Sequence, residues 1–308
     1  MASLPKVALI AGPTASGKSA LALQLAERLG GTIINADSAQ VYRDLRVVTA
    51  RPSPEEEARA PHRLFGHVDA ADTGYSAARW AAEARVEIDR ALAADGMPIL
   101  VGGTGLYLRT LIDGIAPVPE IDPAIRAEVR AMNLPDAYAA LTAVDRAEAA
   151  RLNPADTTRI CRALEVVRST GRPIADWRRE RVGGIGERID LVATILLPPR
   201  DRLNDRIDRR FAAMVDTGAL EEVATLIARE DVPLDAPIRR AIGMPELAAA
   251  VLGEITLADA IERASLATRQ YAKRQYTWFR NQPPADWIRA QETDSFKLYD
   301  EIAIRVQH

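Results

Sequence analysis

A continuous apolar run at 7–11, Val-Ala-Leu-Ile-Ala, gives way to a Gly- and Ser-containing octet. A stripe of Leu21, Leu25, Ala26 and Leu29 at helical spacing follows. The short run predicts a buried strand, and the stripe predicts an amphipathic helix. The alternation repeats. A strand is expected at 32–36 (Thr-Ile-Ile-Asn-Ala), and Ser53-Pro54 followed by Glu55, Glu56 and Glu57 marks a helix start. A long helix is expected over 76–93, where Trp80, Ala84 and Ile88 align. A further strand is expected at 97–101. Short strands alternating with helices predict an α/β fold, a parallel sheet flanked by helices.

From Pro117 the pattern changes. Pro117-Val118-Pro119 and Gly183-Gly184-Ile185-Gly186 bracket a stretch with no strand signal. Helix starts are expected near Asp122-Pro123 and Asn153-Pro154, with a stop at Gly171. This is read as an all-helical insertion domain at 117–186, within a core made of 1–116 and 187–308. A β-branched run at 189–197 ends at Pro198-Pro199 and returns the chain to the sheet. The rest reads as helical, with a long amphipathic helix over about 257–279.

The octet adds chemistry. GPTASGKS, formed by Gly12, Pro13, Thr14, Ala15, Ser16, Gly17, Lys18 and Ser19, fits the phosphate-binding P-loop spacing. It lies between a predicted strand and a predicted helix, where that motif belongs. Backbone N–H groups and the helix dipole converge on an anion there. Lys18 is placed to neutralise terminal phosphate oxygens, and the Ser19 hydroxyl to ligate Mg²⁺. The plainer reading is a glycine-rich turn with no ligand. Strand 97–101 runs into Gly102-Gly103-Thr104-Gly105 with no terminal carboxylate, and no Asn precedes a Lys as guanine recognition requires. Asp37 follows the strand at 32–36 instead. That arrangement favours transfer chemistry over nucleotide hydrolysis.

Composition narrows the classes. The 308-residue chain has 48% hydrophobic and 27% charged residues, which is ordinary for a globular protein. A single cysteine, Cys161, excludes an internal disulfide and fits a reducing compartment. No apolar run reaches membrane-spanning length, so a cytoplasmic protein without a membrane partner is expected. Net charge is −3, yet nine arginines face five acids over 151–188, and 263–280 holds five cations and no acid. Such clusters are either a footprint for an anionic polymer or solvated helix faces. Charge alone does not choose between them.

Six motifs together resemble the tRNA dimethylallyltransferase family, also called tRNA isopentenyltransferase. They are GPTASGKS at 12–19, DSAQVYR at 37–43, GGTGLYLRTL at 102–111, RICRALEV at 159–166, RIDRRF at 206–211 and TRQYAKRQYTWFRN at 268–281. The resemblance implies transfer of a dimethylallyl group from dimethylallyl diphosphate to N6 of the adenosine 3′ to a tRNA anticodon. It implies that the P-loop holds a prenyl diphosphate with Mg²⁺, and that Thr104 and Arg210 contact the diphosphate. It places Asp37, Ser38, Ala39, Gln40, Thr104, Arg126, Thr158, Arg159, Ile160, Cys161 and Arg162 at the tRNA. The chain departs from the family at Ile242-Gly243-Met244-Pro245, where Tyr and a polar residue are usual.

The residue types suit that chemistry. The adenine exocyclic amine is a weak nucleophile, and a carboxylate within reach can orient it and accept its proton. Asp37 is the candidate base; metal coordination and helix capping are its other readings. Ser38 and Gln40 suit the edge of an extruded base. Arg210 suits phosphate as a fixed planar donor, and its plainer role is an ion pair with Asp205 or Asp208. Gln270, Lys273 and Arg274 are expected to line the channel where donor and acceptor meet. A monomer is expected. Three alternatives remain open here: a small-molecule kinase, an adenylate prenyltransferase acting on free AMP, and an RNA-binding regulator.

Overall fold

A computed structural model describes residues 3–292 and 296–307. Six strands, β1 (Lys6–Ala11), β2 (Thr32–Asn35), β3 (His62–Arg63), β4 (Pro98–Gly102), β5 (Asp190–Leu196) and β6 (Ile288–Ala290), form one sheet. Their order is β3-β2-β4-β1-β5-β6, and every pair is parallel. β1 is central, and Val7, Ala8, Leu9, Ile10 and Ala11 are fully buried. Its unbroken apolar run is what a strand covered on both faces requires.

The helices of the sheet-bearing unit are α1 (Lys18–Leu29), α2 (Pro54–Arg59), α3 (Ala77–Ala93) and α4 (Gly105–Asp113), with five more later in the chain. Ser53 and Glu56 form a reciprocal capping box on α2, and Ser76 caps α3. The helical unit holds α5 (Pro123–Ala131), α6 (Leu134–Val144), α7 (Arg146–Arg151), α8 (Thr157–Thr170) and α9 (Ile174–Trp177). After it come α10 (Arg200–Asp216), α11 (Ala219–Ile227), α12 (Met244–Val251), α13 (Leu257–Asn281) and α14 (Phe296–Gln307). Among the described residues, no helix is long and apolar enough to cross a membrane.

The chain divides into two compact units, Ile112–Gly184 and the remainder. The excursion closes neatly in the larger unit: the Ile185 N–H donates to the Leu111 carbonyl at 3.0 Å. The smaller unit has its own core, including Ile121, Val129, Leu141, Ile160 and Leu164. Of the three buried carboxylates described there, Glu148 and Glu165 are the deepest and Asp145 caps α7. Glu148 pairs with Arg151 at 3.1 Å and Arg178 at 2.7 Å, and Glu165 with Arg130 at 3.1 Å and Arg162 at 3.7 Å. Much of the arginine cluster therefore serves internal pairing.

Three details differ from the sequence expectations. β3 and β6 have two and three residues, too short to show a period. α8 starts at Thr157 with Asp156 as its cap, not at Asn153-Pro154. The Asn153 side chain instead accepts from the Ala155 N–H at 2.9 Å, which closes a turn before the helix begins.

Because the sheet is parallel, the ends of β1, β2 and β4 lie along one edge. Gly12 follows β1, Asp37 follows β2 and Thr104 follows β4. That carboxyl edge is where open α/β sheets bind ligands.

Candidate active site

The P-loop is shaped by backbone conformations few residues allow. Gly12 has φ +153°, and a Cβ there would stand 2.6 Å from the Leu196 carbonyl oxygen. Ala15 is left-handed at φ 62°, and Gly17 caps α1 at φ 93° with no side-chain capping bond. The first amides of α1 are thus left for an anion. Ser16 is fully buried, and its Oγ has no hydrogen-bond partner. Such an orphan costs stability unless a ligand satisfies it.

Lys18 donates weakly to the Pro13 carbonyl at 3.4 Å. Burial lowers its pKa to about 8; Asp37 opposes the shift, and Arg210 adds to it. Arg210, on α10, donates to Thr14 Oγ1 at 2.6 Å. Burial pulls its pKa down, and Asp37 opposes this. Two half-buried cations, Lys18 and Arg210, thus face the loop with Asp37 as their shared carboxylate, an arrangement that favours binding of an anion.

Asp37 is held by its neighbours. Asn35 accepts the Asp37 N–H at 2.8 Å and donates to the Asp37 and Leu64 carbonyls at 3.0 and 2.9 Å. The Trp80 indole donates to the Asn35 carbonyl at 2.7 Å. Asp37 Oδ1 accepts the Ala39 N–H at 3.0 Å. Thr104 joins the two loops: its N–H donates to the Ala36 carbonyl at 3.2 Å, and its Oγ1 accepts the Ser38 N–H at 3.0 Å.

Asp37, Thr14 and Arg210 border one cavity of about 380 Å³. Its walls include Val48, Ile207, Phe211, Met214, Ile238 and Ile242, with Tyr42, Tyr75, Tyr107 and Tyr271 also facing it. Anion-binding groups and a carboxylate thus meet at a largely apolar space, the usual composition of a ligand site.

The structure distributes the sequence candidates unevenly. Asp37, Ser38 and Ala39 line the cavity, with Thr104 bonded behind them. Gln40 instead gives its amide to the Thr49 and Ala50 carbonyls at 2.9 and 2.8 Å. In the helical unit Arg126, Thr158 and Arg159 are exposed and Arg162 is half-buried. The side chains of Ile160 and Cys161 are buried in that unit's core. Arg159 lies 3.5 Å from Asp156.

On α13 the helical phase differs from expectation. Gln270, Lys273 and Arg274 are exposed, and the inward face carries Thr268, Tyr271 and Gln275. Gln275 was not foreseen. It accepts the Thr14 N–H at 2.8 Å and donates to the Gly103 carbonyl at 2.9 Å. A Cβ on Gly103 would come within 2.2 Å of that amide, which explains the glycine. The available signal was buried polar residues, Thr268 and Gln275, on the helix stripe of Ala264, Ala272 and Phe279. Burial, and next the Asp37 charge, push the Tyr271 hydroxyl's pKa up, and the nearby Thr104 opposes the shift.

A family model described as IPP transferase matches residues 40–282. The tRNA dimethylallyltransferase of Sphingopyxis alaskensis is 58% identical over 302 residues, 98% of each chain. That of Erythrobacter litoralis is 55% identical, over 96% of this chain and 93% of its own. Among solved structures, the tRNA isopentenylpyrophosphate transferase of Bacillus halodurans has a TM-score of 0.71 at 33% identity, covering 98% of this chain and 95% of its own. A eukaryotic dimethylallyltransferase captured acting on tRNA has a TM-score of 0.77 at 30% identity, over 89% of this chain and 70% of its own.

Proposed function

The chain belongs to the IPP transferase family, the tRNA dimethylallyltransferases, and on that premise we propose the following reaction. A dimethylallyl group passes from dimethylallyl diphosphate to N6 of the adenosine 3′-adjacent to a tRNA anticodon, and diphosphate is released. The observation that carries it is a carboxylate, Asp37, sharing one apolar-walled cavity with Thr14 and Arg210 of the anion site. The kinase and free-adenylate alternatives fall away, because the near full-length relatives are tRNA dimethylallyltransferases.

In this reading the N6 lone pair attacks C1 of the prenyl group as the C1–O bond breaks. The electron pair leaves with diphosphate, and the N6 proton passes to Asp37. The α1 amides, Lys18 and Arg210 stabilise charge growing on the leaving group. Ser16 Oγ gains its missing partner from a phosphate oxygen. The base must leave the anticodon stack to reach Asp37, and Ser38 and the Ala39 backbone border its path.

Mg²⁺ fits this donor set. Among the described residues no three His, Cys, Asp or Glu cluster to form an all-protein metal cage. Mg²⁺ instead favours a few protein oxygens, substrate phosphates and water. Ser19 Oγ would hold it, and the ion would supply further neutralisation of diphosphate charge.

The decisive test is incubation with dimethylallyl diphosphate and bulk tRNA, followed by nucleoside mass spectrometry. N6-dimethylallyladenosine is expected, and its absence overturns the reading. The helical unit, read as the grip on the anticodon arm, has its own test. Arg159→Ala should raise the tRNA KM and lower the salt slope of binding by about 0.7–0.9. Donor affinity should hold. Arg162→Ala should add a loss of thermal stability, because buried Glu165 keeps only Arg130. Unchanged tRNA affinity and slope in Arg159→Ala would remove that residue from the interface.

A further inference from the structure

Glu222, on α11, belongs to none of the motifs. Its carboxylate accepts three successive backbone amides from the distant segment that follows Leu45. The N–H of Arg46 donates to it at 2.9 Å, that of Val47 at 2.8 Å to each oxygen, and that of Val48 at 3.2 Å. These amides open the turn at 46–50. Glu222 therefore does for this turn what an N-cap side chain does for a helix, but from 174–176 residues further along the chain.

The turn leads to the site by two routes. Val48 and Thr49 line the cavity directly. The carbonyls of Thr49 and Ala50 take both N–H groups of the Gln40 amide, three residues from Asp37. The same stretch is tied down again just past α11. Arg229 donates to Asp44 at 2.6 Å and to Asp69 at 2.7 Å, while Asp44 accepts the Ala70 N–H at 3.0 Å. The anion side of the site is built separately. Thr14 is held by Gln275 and Arg210, and among the described residues neither of these hydrogen-bonds to this turn.

We infer that Glu222 is a positioning residue for the acceptor side of the reaction. Its carboxylate holds the 46–50 turn in the form that, through Gln40 and Val48, sets Asp37 and the apolar wall against the incoming adenine. The inference rests on the prenyl-transfer reading. It separates the two substrates: losing Glu222 should disturb the acceptor geometry and spare the donor.

Glu222→Gln is the first test, because it keeps size and packing. It replaces one acceptor oxygen with an amide that faces other N–H donors. The expected result is a fall in kcat for tRNA prenylation of roughly 10–100-fold, as misplacement of reacting groups produces. The KM for dimethylallyl diphosphate should stay within about twofold of wild type. Hydrogen–deuterium exchange should speed up at the amides of residues 46–48. Glu222→Asp, which keeps the charge, should recover part of the kcat. The inference is overturned if kcat in Glu222→Gln stays within about twofold of wild type. A donor KM that worsens in step with kcat, or amides at 46–48 that remain protected, also overturns it. If the wild-type enzyme forms no prenylated adenosine, the functional reading fails, and the exchange measurement alone then decides whether Glu222 holds the turn.

Discussion

Asp37→Asn should lower the single-turnover rate of prenyl transfer by about 10²–10⁴-fold, the range typical of a lost general base. Binding of both substrates should persist. The structure makes this substitution unusually clean. Asp37 Oδ1 accepts the Ala39 N–H, and the Asn carbonyl oxygen can do the same. The backbone bonds of Asp37 run to Asn35 and do not involve its carboxylate. The loop therefore keeps its shape while the side chain loses the ability to take a proton from N6. Rapid-quench measurement with saturating tRNA and donor isolates the chemical step. A near-normal rate would show that N6 loses its proton elsewhere and would reduce Asp37 to a turn-former.

Lys18→Met should have two opposite effects. Donor binding should collapse, because the ammonium that meets the diphosphate is gone. The free protein should become more stable. In the folded state burial lowers the Lys18 pKa to about 8, against an ordinary 10.5. Between these values the unfolded chain binds more protons, so wild-type stability rises as pH climbs from about 8 to 10.5. Below about 8 the buried charge exerts its full cost, on the order of 3 kcal/mol for a shift of this size. Lys18→Met removes that cost. Its gain over wild type should be complete at pH 7 and fade through the 8–10.5 window. Calorimetric melting across pH, beside titration with dimethylallyl diphosphate, reads both effects. The donor should also bind wild type less tightly as pH rises past about 8, where free Lys18 loses its charge. A variant that melts no higher than wild type at pH 7, or that keeps donor affinity, would contradict this account of the site.

What the sequence determined by itself was local. The run at 7–11, the P-loop, the Ser53 and Ser76 caps and the stop at Gly171 each follow from interactions among residues close along the chain. Period, capping and turn chemistry are written in neighbouring residues. The order of motifs also made the family recognisable. Asp37 and Thr104 stood out because each follows a strand, and parallel strands bring such ends to one edge.

Only the tertiary structure decided which faces of the helices meet the site and what holds the loops. Gln275 grips Thr14 across 261 residues, and Glu222 caps the turn at 46–50 from another helix. Neither carries a local mark, because a glutamine or glutamate on a helix is equally at home in solvent. The phase of α13 turned Tyr271 and Gln275 inward and left Lys273 outside, a choice a charged-residue pattern does not encode. Within RICR, packing of the helical unit sent Ile160 and Cys161 into its core and left Arg159 exposed. Long-range contacts form when whole elements dock to bury apolar surface. The polar partners they bring together are a consequence of that docking, and no short stretch of chain contains both halves.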